Sequence, residues 1–141
     1  MPVQYASIKK EHQAVRERAG LFDVSHMGEI LVEGPNAVAA VDRLVTNDLS
    51  KLDPGRALYT VCCNADGYIL DDLIVYHLEA EKVLVVCNAS NRDKIVGHFA
   101  AQLDLGIPWN DVSDEWALLA LQGPAAAAIV NDLGPDPSLL A

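Results

Sequence analysis

The chain has 141 residues, 51% of them hydrophobic and 21% charged, and its formal net charge is −10. This composition predicts one soluble globular domain, or a piece of a larger protein, with enough residues to bury a core without metals or disulfides. The excess of acidic residues argues against nucleic acid or an anionic membrane as a partner, and no apolar run approaches the roughly 20 residues that cross a bilayer.

The amino terminus and the cysteines predict a cytoplasmic protein. Met1 leads into a segment with Lys9 and Lys10 and without the apolar stretch of a signal peptide. The cysteines are odd in number, lack metal-type spacing and lie inside apolar runs. Buried free thiols are therefore expected at Cys62, Cys63 and Cys87.

The first elements are predicted from capping residues and hydrophobic spacing. Ser7 can cap a helix over residues 7–19, and Gly20 is placed to end it. Leu21–Met27 is predicted to be an irregular linker. The alternating charged and apolar residues of Glu29–Glu33 predict a half-buried strand.

The middle of the chain predicts a helix followed by a hairpin. Gly34-Pro35 ends the preceding strand and opens the helix, because proline suits a first helical turn. After a loop come two runs of strand composition, Ala57–Asn64 and Tyr68–Leu78. A short turn containing Gly67 joins them, which predicts antiparallel pairing.

The remainder of the chain predicts further strands and helices. The strands are Val83–Cys87, Trp109–Val112 and Trp116–Leu121. Asn88 or Ser90 can cap a helix after the first of these. Gly123-Pro124 opens the last helix and repeats the Gly34-Pro35 pattern, which we attribute to the general preference of strand-to-helix corners rather than to a duplicated binding element.

The order of the elements predicts the fold class. Helices and strands alternate at first, but the central strands form a hairpin. This order favours an α+β fold, with an antiparallel sheet and helices on one face, over a doubly wound parallel sheet.

Two adjacent acids, Asp71 and Asp72, interrupt a run that is otherwise typical of a buried strand. Consecutive side chains of a strand point to opposite faces, so the two acids cannot share one site unless a bulge intervenes. A carboxylate in apolar surroundings is costly unless it is hydrogen-bonded or paired. The position therefore predicts either a buried structural cap or a group that handles protons.

The strand parity assigns neighbours to Asp72. It shares a face with Ile74 and Tyr76, and an acid among apolar residues and a tyrosine suits a pocket for a flat heterocycle with polar edges. Tyr59 on the preceding strand and Asn88 beyond the next could reach the same region. Taken alone, each of these two residues is more often explained by packing or capping.

Other kinds of chemistry find no support. The sequence has no P-loop and no G-x-G-x-x-G pattern, so no nucleotide or dinucleotide cofactor is expected. The four histidines lack paired-ligand spacing, so no metal site is expected. His26 is interpreted as a structural residue, because no nucleophile and orienting acid accompany it.

A set of sequence blocks carries a family resemblance. The blocks are Met1–Tyr5, Glu11-His12, Ala14–Arg16, Ala19–Gly28, Thr46–Asp48, Ile69–Val75 and Leu118–Pro124. Together they resemble the amino-terminal part of the aminomethyltransferases, the T-proteins of the glycine cleavage system, over nearly the whole chain. One departure is Tyr68, which follows Gly67 where the family usually has a second glycine.

The resemblance implies a transfer that depends on tetrahydrofolate. The methylene of an aminomethyl group on the lipoyl arm of H-protein would pass to folate, and ammonia would leave. Asp72 would be the catalytic carboxylate, which orients the folate amine and moves protons. Met27, Tyr59, Tyr76 and Asn88 would line the folate pocket.

The resemblance also implies a division of the chain. Residues 29–116 would form a ferredoxin-like folate-binding domain, and residues 1–28 and 117–141 would belong to an incomplete first domain. Family members are much longer, so this chain alone is expected to be inactive. The alternatives are an inactive fragment and a folate-binding relative with another role, such as a demethylase domain or an iron–sulfur assembly factor.

Overall fold

The computed structural model describes residues 3–103 and 106–134. In chain order the elements are α1 (Ile8–Glu17), β1 (Gly20–Asp23), β2 (Gly28–Glu33), α2 (Ala37–Asp42), β3 (Arg56–Cys63), β4 (Ile69–Glu79), β5 (Lys82–Cys87), α3 (Arg92–Gln102), β6 (Trp109–Asp111), β7 (Leu119–Gln122) and α4 (Ala126–Asp132). Within these described ranges, no helix is long and apolar enough to cross a membrane.

The chain divides into two compact units. One contains the residues up to Val24 and those from Leu118 onward, and the other is Ser25–Ala117. The predicted outer ranges, 1–28 and 117–141, end close to these boundaries. Residues 1–2 and 135–141 of those ranges lie outside the described part of the chain.

The first unit pairs its two strands across a long stretch of sequence. Ser7 caps α1, because its Oγ accepts a hydrogen bond of 3.2 Å from the backbone N–H of Lys10. Strand β1 lies antiparallel to β7, with Gly20 opposite Gln122. This pairing corrects the prediction of an irregular linker over Leu21–Met27: a distant partner satisfies the backbone groups of β1, and four residues carry too little pattern to show it.

The second unit is an antiparallel sheet of five strands in the order β3-β4-β5-β2-β6. Helices α2 and α3 pack on one face of it, where Val41 and Phe99 meet Ile30, Val75 and Val85 in a single buried core. The predicted α+β class is therefore confirmed. Strands β4, β5, β2 and β6, with the two helices, have the ferredoxin-like order, and β3 extends the sheet at its edge.

Three details of the second unit differ from the sequence predictions. Strand β2 is buried on both faces from Gly28 to Val32 instead of being half-buried, because it lies inside the sheet between β5 and β6. Helix α3 begins at Arg92 after a 3₁₀ turn over Ala89–Asn91, and no side-chain hydrogen bond caps it, so Asn88 and Ser90 are not its caps. Among the cysteines, Cys62 and Cys87 are buried free thiols, but Cys63 is only half-buried.

Candidate functional site

The sheet face opposite the helices changes from buried to exposed across its width. The strand register places Tyr59, Ile74, Val86 and Glu29 side by side in one row. Val86 and Glu29 are buried, whereas Tyr59 is 64% exposed. The accessible part of this face therefore lies over β3 and β4, and Asp72 belongs to it.

Asp71 and Asp72 occupy opposite faces of β4. Asp71 lies opposite Cys62, and Asp72 lies opposite Val61, next to a bulge between Cys62 and Cys63. Asp71 is 3% exposed and lies on the same buried face as Leu73, whereas Asp72 is exposed. The parity argument thus separates a buried acid from an accessible one.

The Tyr59 side chain is bound to Asp72. Its hydroxyl donates a hydrogen bond to Asp72 Oδ2. This hydrogen bond, together with the desolvation of the ring and the nearby negative charges, raises the pKa of Tyr59 above its ordinary value of 10.0. Tyr59 therefore stays a neutral donor at physiological pH.

Asn88 contacts both acids. Its backbone N–H donates to Asp71 Oδ2 at 2.8 Å, and its Nδ2 lies 2.9 Å from Asp71 Oδ1 and 3.0 Å from Asp72 Oδ1. Strand β5 ends at Cys87, whereas its antiparallel neighbour β4 extends further in the same direction, as far as its first residue, Ile69. Asn88 therefore lies just beyond the end of β5, beside the part of β4 that carries the two acids. The expectation that the acids cannot share a site is therefore wrong in one respect: a single amide bridges them.

The other two predicted residues lie near this group. Tyr76 is half-buried on the same face as Asp72, two residue pairs along β4, and burial raises its pKa. Met27 is half-buried and precedes Gly28, which pairs with Cys87, so Met27 lies at the same end of the sheet as Asn88. The structure thus joins Tyr59, Asp72 and Asn88 by hydrogen bonds. Tyr76 shares their face of the sheet, and Met27 lies in the bend just before β2.

Two residues that the sequence did not indicate extend the network on the helix side. Asn91 Nδ2 donates to Asp71 Oδ1 at 2.6 Å, and Lys94 Nζ donates to Asn91 Oδ1 at 2.8 Å and to the carbonyl of Leu70 at 2.9 Å. One sequence signal could have revealed Asn91 and Lys94. They follow Asn88 at intervals of three residues, which places all three on one side of a helical turn.

A second polar group lies beside β2 and β6. Glu29 is fully buried, no described residue gives a hydrogen bond to either of its carboxylate oxygens, and burial raises its pKa. Arg92 donates to Asp111 Oδ2 at 3.0 Å and to Asp114 Oδ2 at 2.8 Å. No three histidines, cysteines or acids of the described residues are placed to hold a metal ion.

The chemistry open to this arrangement and the sequence family of the chain point the same way. An exposed carboxylate, flanked by a phenol and an amide on the free face of an α+β sheet, can orient a nitrogen donor and relay its protons. The chain belongs to the family described as GCVT N-terminal domain, which matches residues 1–139.

Known proteins similar to this chain support the assignment. The aminomethyltransferases of Geobacillus kaustophilus and Bacillus subtilis are each 50% identical to it over 133 residues, which is 94% of this chain and 36% and 37% of theirs. That of Rubrobacter xylanophilus is 53% identical over 132 residues, or 93% of this chain and 35% of its own. The chain thus spans little more than a third of the length of these relatives.

A solved structure agrees with these relatives. The crystal structure of the glycine cleavage system aminomethyltransferase T from Bartonella henselae matches with a TM-score of 0.80 and 37% identity. The match covers 97% of this chain and 38% of that one.

Proposed function

We propose that this chain supplies the catalytic carboxylate and part of the folate pocket of a tetrahydrofolate-dependent aminomethyltransferase of the glycine cleavage system. The observation that carries the proposal is the accessible Asp72, hydrogen-bonded to Tyr59 and Asn88, in a chain about half identical to named aminomethyltransferases. An acid that is exposed on one side and fixed on the other is suited to act on a bound ligand.

The proposed reaction moves one carbon. The methylene of the aminomethyl group on the lipoyl arm of H-protein loses its bonds to sulfur and to the amino nitrogen, and gains two bonds to nitrogens of tetrahydrofolate. The two protons displaced from folate leave with the sulfur and with ammonia. Asp72 orients the attacking folate amine and carries a proton toward the departing ammonia.

The remaining predicted residues would hold the folate. Tyr59 and Tyr76 offer aromatic surface on the sheet face, Met27 offers a flexible apolar contact, and Asn88 offers a polar edge. Lipoylated H-protein is the proposed partner and the cytoplasm the proposed location. With a net charge of −10, the chain is not expected to bind nucleic acid or an anionic membrane.

The test is a chimera in which the matched 133 residues of this chain replace those of the Bacillus subtilis aminomethyltransferase. We expect it to release ammonia from aminomethylated H-protein only when tetrahydrofolate is present. Asp72→Asn should lower turnover by about 10²–10⁴-fold, the usual contribution of a general acid or base. Asp66→Asn removes the same charge in the exposed hairpin turn and should leave turnover unchanged.

Two outcomes would contradict the proposal. Equal turnover in the chimera and its Asp72→Asn variant would remove Asp72 from the mechanism. A folded chimera that binds tetrahydrofolate without transferring the methylene would favour a folate-binding relative with another role, such as a demethylase domain or an iron–sulfur assembly factor.

A further inference from the structure

The amide nitrogen of Asn88 is surrounded by more acceptor oxygens than it has hydrogens to donate. Its Nδ2 carries two hydrogens, and three oxygens lie within 3.2 Å of it: Asp71 Oδ1, Asp72 Oδ1 and the Asp72 carbonyl. The reversed amide would bring its own oxygen against these three acceptors. The orientation with Nδ2 toward the acids is therefore fixed by chemistry.

The amide oxygen of Asn88, Oδ1, can accept a hydrogen bond from a ligand. Among the described residues, no hydrogen bond to Asn88 Oδ1 is present, and the residue is half-buried at the edge of the Asp72 face. Because both Nδ2 hydrogens are directed at the acids, Oδ1 is the atom that Asn88 presents to a ligand. A carbonyl oxygen there accepts a hydrogen bond and cannot give one.

Asp71 holds Asn88 in this position. A buried carboxylate requires donors, and Asp71 receives three: the Asn88 backbone N–H at 2.8 Å, Asn88 Nδ2 at 2.9 Å and Asn91 Nδ2 at 2.6 Å. Two of the three come from Asn88, so the carboxylate fixes both its backbone and its side chain. Lys94 in turn fixes Asn91.

We propose that Asp71 is a positioning residue, which locks the Asn88 amide so that Nδ2 donates to Asp72 and Oδ1 is left to accept an N–H donor of the folate. This inference rests on the proposed function and adds two roles to it. Asp71 never touches the substrate, and Asn88 recognises the substrate as an acceptor. The carboxylate of Asp72 is thereby held at Oδ1 by Asn88 and at Oδ2 by Tyr59.

The test uses the 141-residue chain labelled with ¹⁵N. In the wild type, the Asn88 Nδ2 hydrogens should exchange slowly with water. In Asp71→Asn we expect them to exchange about tenfold faster or more, since the substituted amide lacks the carboxylate charge that strengthens these bonds and keeps only one acceptor oxygen for the two Asn88 donors. In the chimera with the Bacillus subtilis aminomethyltransferase, which completes the folate pocket, Asp71→Asn should weaken tetrahydrofolate binding about tenfold for the same reason. Asp66→Asn, which removes one charge in the exposed turn, should change neither quantity.

A second variant separates positioning from folding. Asn91→Ala removes one donor to Asp71 and leaves both Asn88 bonds in place, so we expect a smaller acceleration of Nδ2 exchange than in Asp71→Asn. If Asp71→Asn does not fold, the Asn91→Ala variant still tests the inference. Unchanged exchange of the Asn88 Nδ2 hydrogens in folded Asn91→Ala would overturn it.

The two proposals fail in different ways. Unchanged Nδ2 exchange in a folded Asp71→Asn variant overturns the positioning role, whatever the chain binds. If the wild-type chimera with the Bacillus subtilis aminomethyltransferase does not bind tetrahydrofolate while Nδ2 exchange still responds to Asp71→Asn, the proposed function fails and the positioning of Asn88 stands.

Discussion

Tyr59 and Asp72 are joined along a diagonal of the β3–β4 ladder. The register places Tyr59 opposite Ile74 and Asp72 opposite Val61, yet the Tyr59 hydroxyl reaches Asp72 Oδ2. A diagonal neighbour in an antiparallel pair is within reach of an aromatic side chain. The bond therefore depends on the register of the hairpin.

This bond predicts the ionisation of Tyr59. Loss of the phenol proton would place a negative charge beside the carboxylate, so Tyr59 should ionise at a higher pH than a free tyrosine. Asp72→Asn should move its ionisation back toward pH 10.0, the ordinary value. Titration of the ¹³Cζ resonance of Tyr59 measures this, and an unchanged midpoint in Asp72→Asn would mean that the two groups are not bonded in solution.

The buried Glu29 predicts how stability changes with pH. Burial raises its pKa above the ordinary value of 4.5, with a smaller opposing effect of Arg92. The folded chain therefore binds the proton more tightly than the unfolded chain, and the contribution of Glu29 to stability is lost as the pH rises above 4.5 through the raised pKa.

Glu29→Gln removes this dependence. The variant should unfold at a higher temperature than the wild type at pH 7.5, and the difference should shrink toward pH 4. Thermal unfolding followed by circular dichroism at both pH values measures it. Glu115→Gln, on an exposed turn, is the control and should show no such trend. A wild type that is more stable than Glu29→Gln at pH 7.5 would show that Glu29 is paired in solution.

The cysteines are predicted to differ in reactivity. Burial raises the pKa of Cys62 and of Cys87 to about 11. Compared with the ordinary value of 9.0, this reduces their thiolate fraction roughly hundredfold near pH 8. Iodoacetamide should therefore modify the half-buried Cys63 first, as measured by peptide mass spectrometry. Equal rates for all three thiols in the folded chain would contradict the burial of Cys62 and Cys87.

Gly123 is predicted to tolerate no side chain. Its φ is +126°, and a Cβ there would lie 2.6 Å from the carbonyl oxygen of Arg18 and 2.7 Å from that of Val15. Gly67 also has a positive φ, but a Cβ there meets nothing within 4 Å. Gly67→Ala should cost about 1–3 kcal/mol of backbone strain, and Gly123→Ala should cost more, because backbone atoms must also move.

Denaturant unfolding of the two glycine variants provides the comparison. The decisive quantity is the difference between their free energies of unfolding. If Gly123→Ala were no less stable than Gly67→Ala, the close approach of Gly123 to α1 would not exist in solution.

The sequence predicted the elements with strong local signals. The hairpin follows from two strand-like runs and a glycine-bearing turn, and α1 follows from Ser7 and its helical spacing. The predicted linker was wrong at β1, because that strand exists only through its pairing with β7 almost a hundred residues later. A strand of four residues has no periodicity long enough to show this.

The site was predicted only in part. The alternation of side chains along β4 correctly predicted that Asp71 and Asp72 lie on opposite faces of the strand. It could not show that Asn88 leaves the ladder and bridges both acids, since that depends on where β5 ends relative to β4. The three-residue spacing could have indicated Asn91 and Lys94, but the contact of Asn91 with Asp71 and of Lys94 with Asn91 depends on tertiary packing.

The central claim is that the Asp72 face of the sheet binds tetrahydrofolate, and titrating tetrahydrofolate into the ¹⁵N-labelled chimera with the Bacillus subtilis aminomethyltransferase tests it most directly. We expect saturable shifts concentrated at Tyr59, Asp72, Tyr76 and Asn88, and much weaker binding to Asp72→Asn. Saturable shifts confined to another surface, such as the groove of about 280 Å³ along α1 lined by Lys10, Gln13 and Arg18, would contradict the claim.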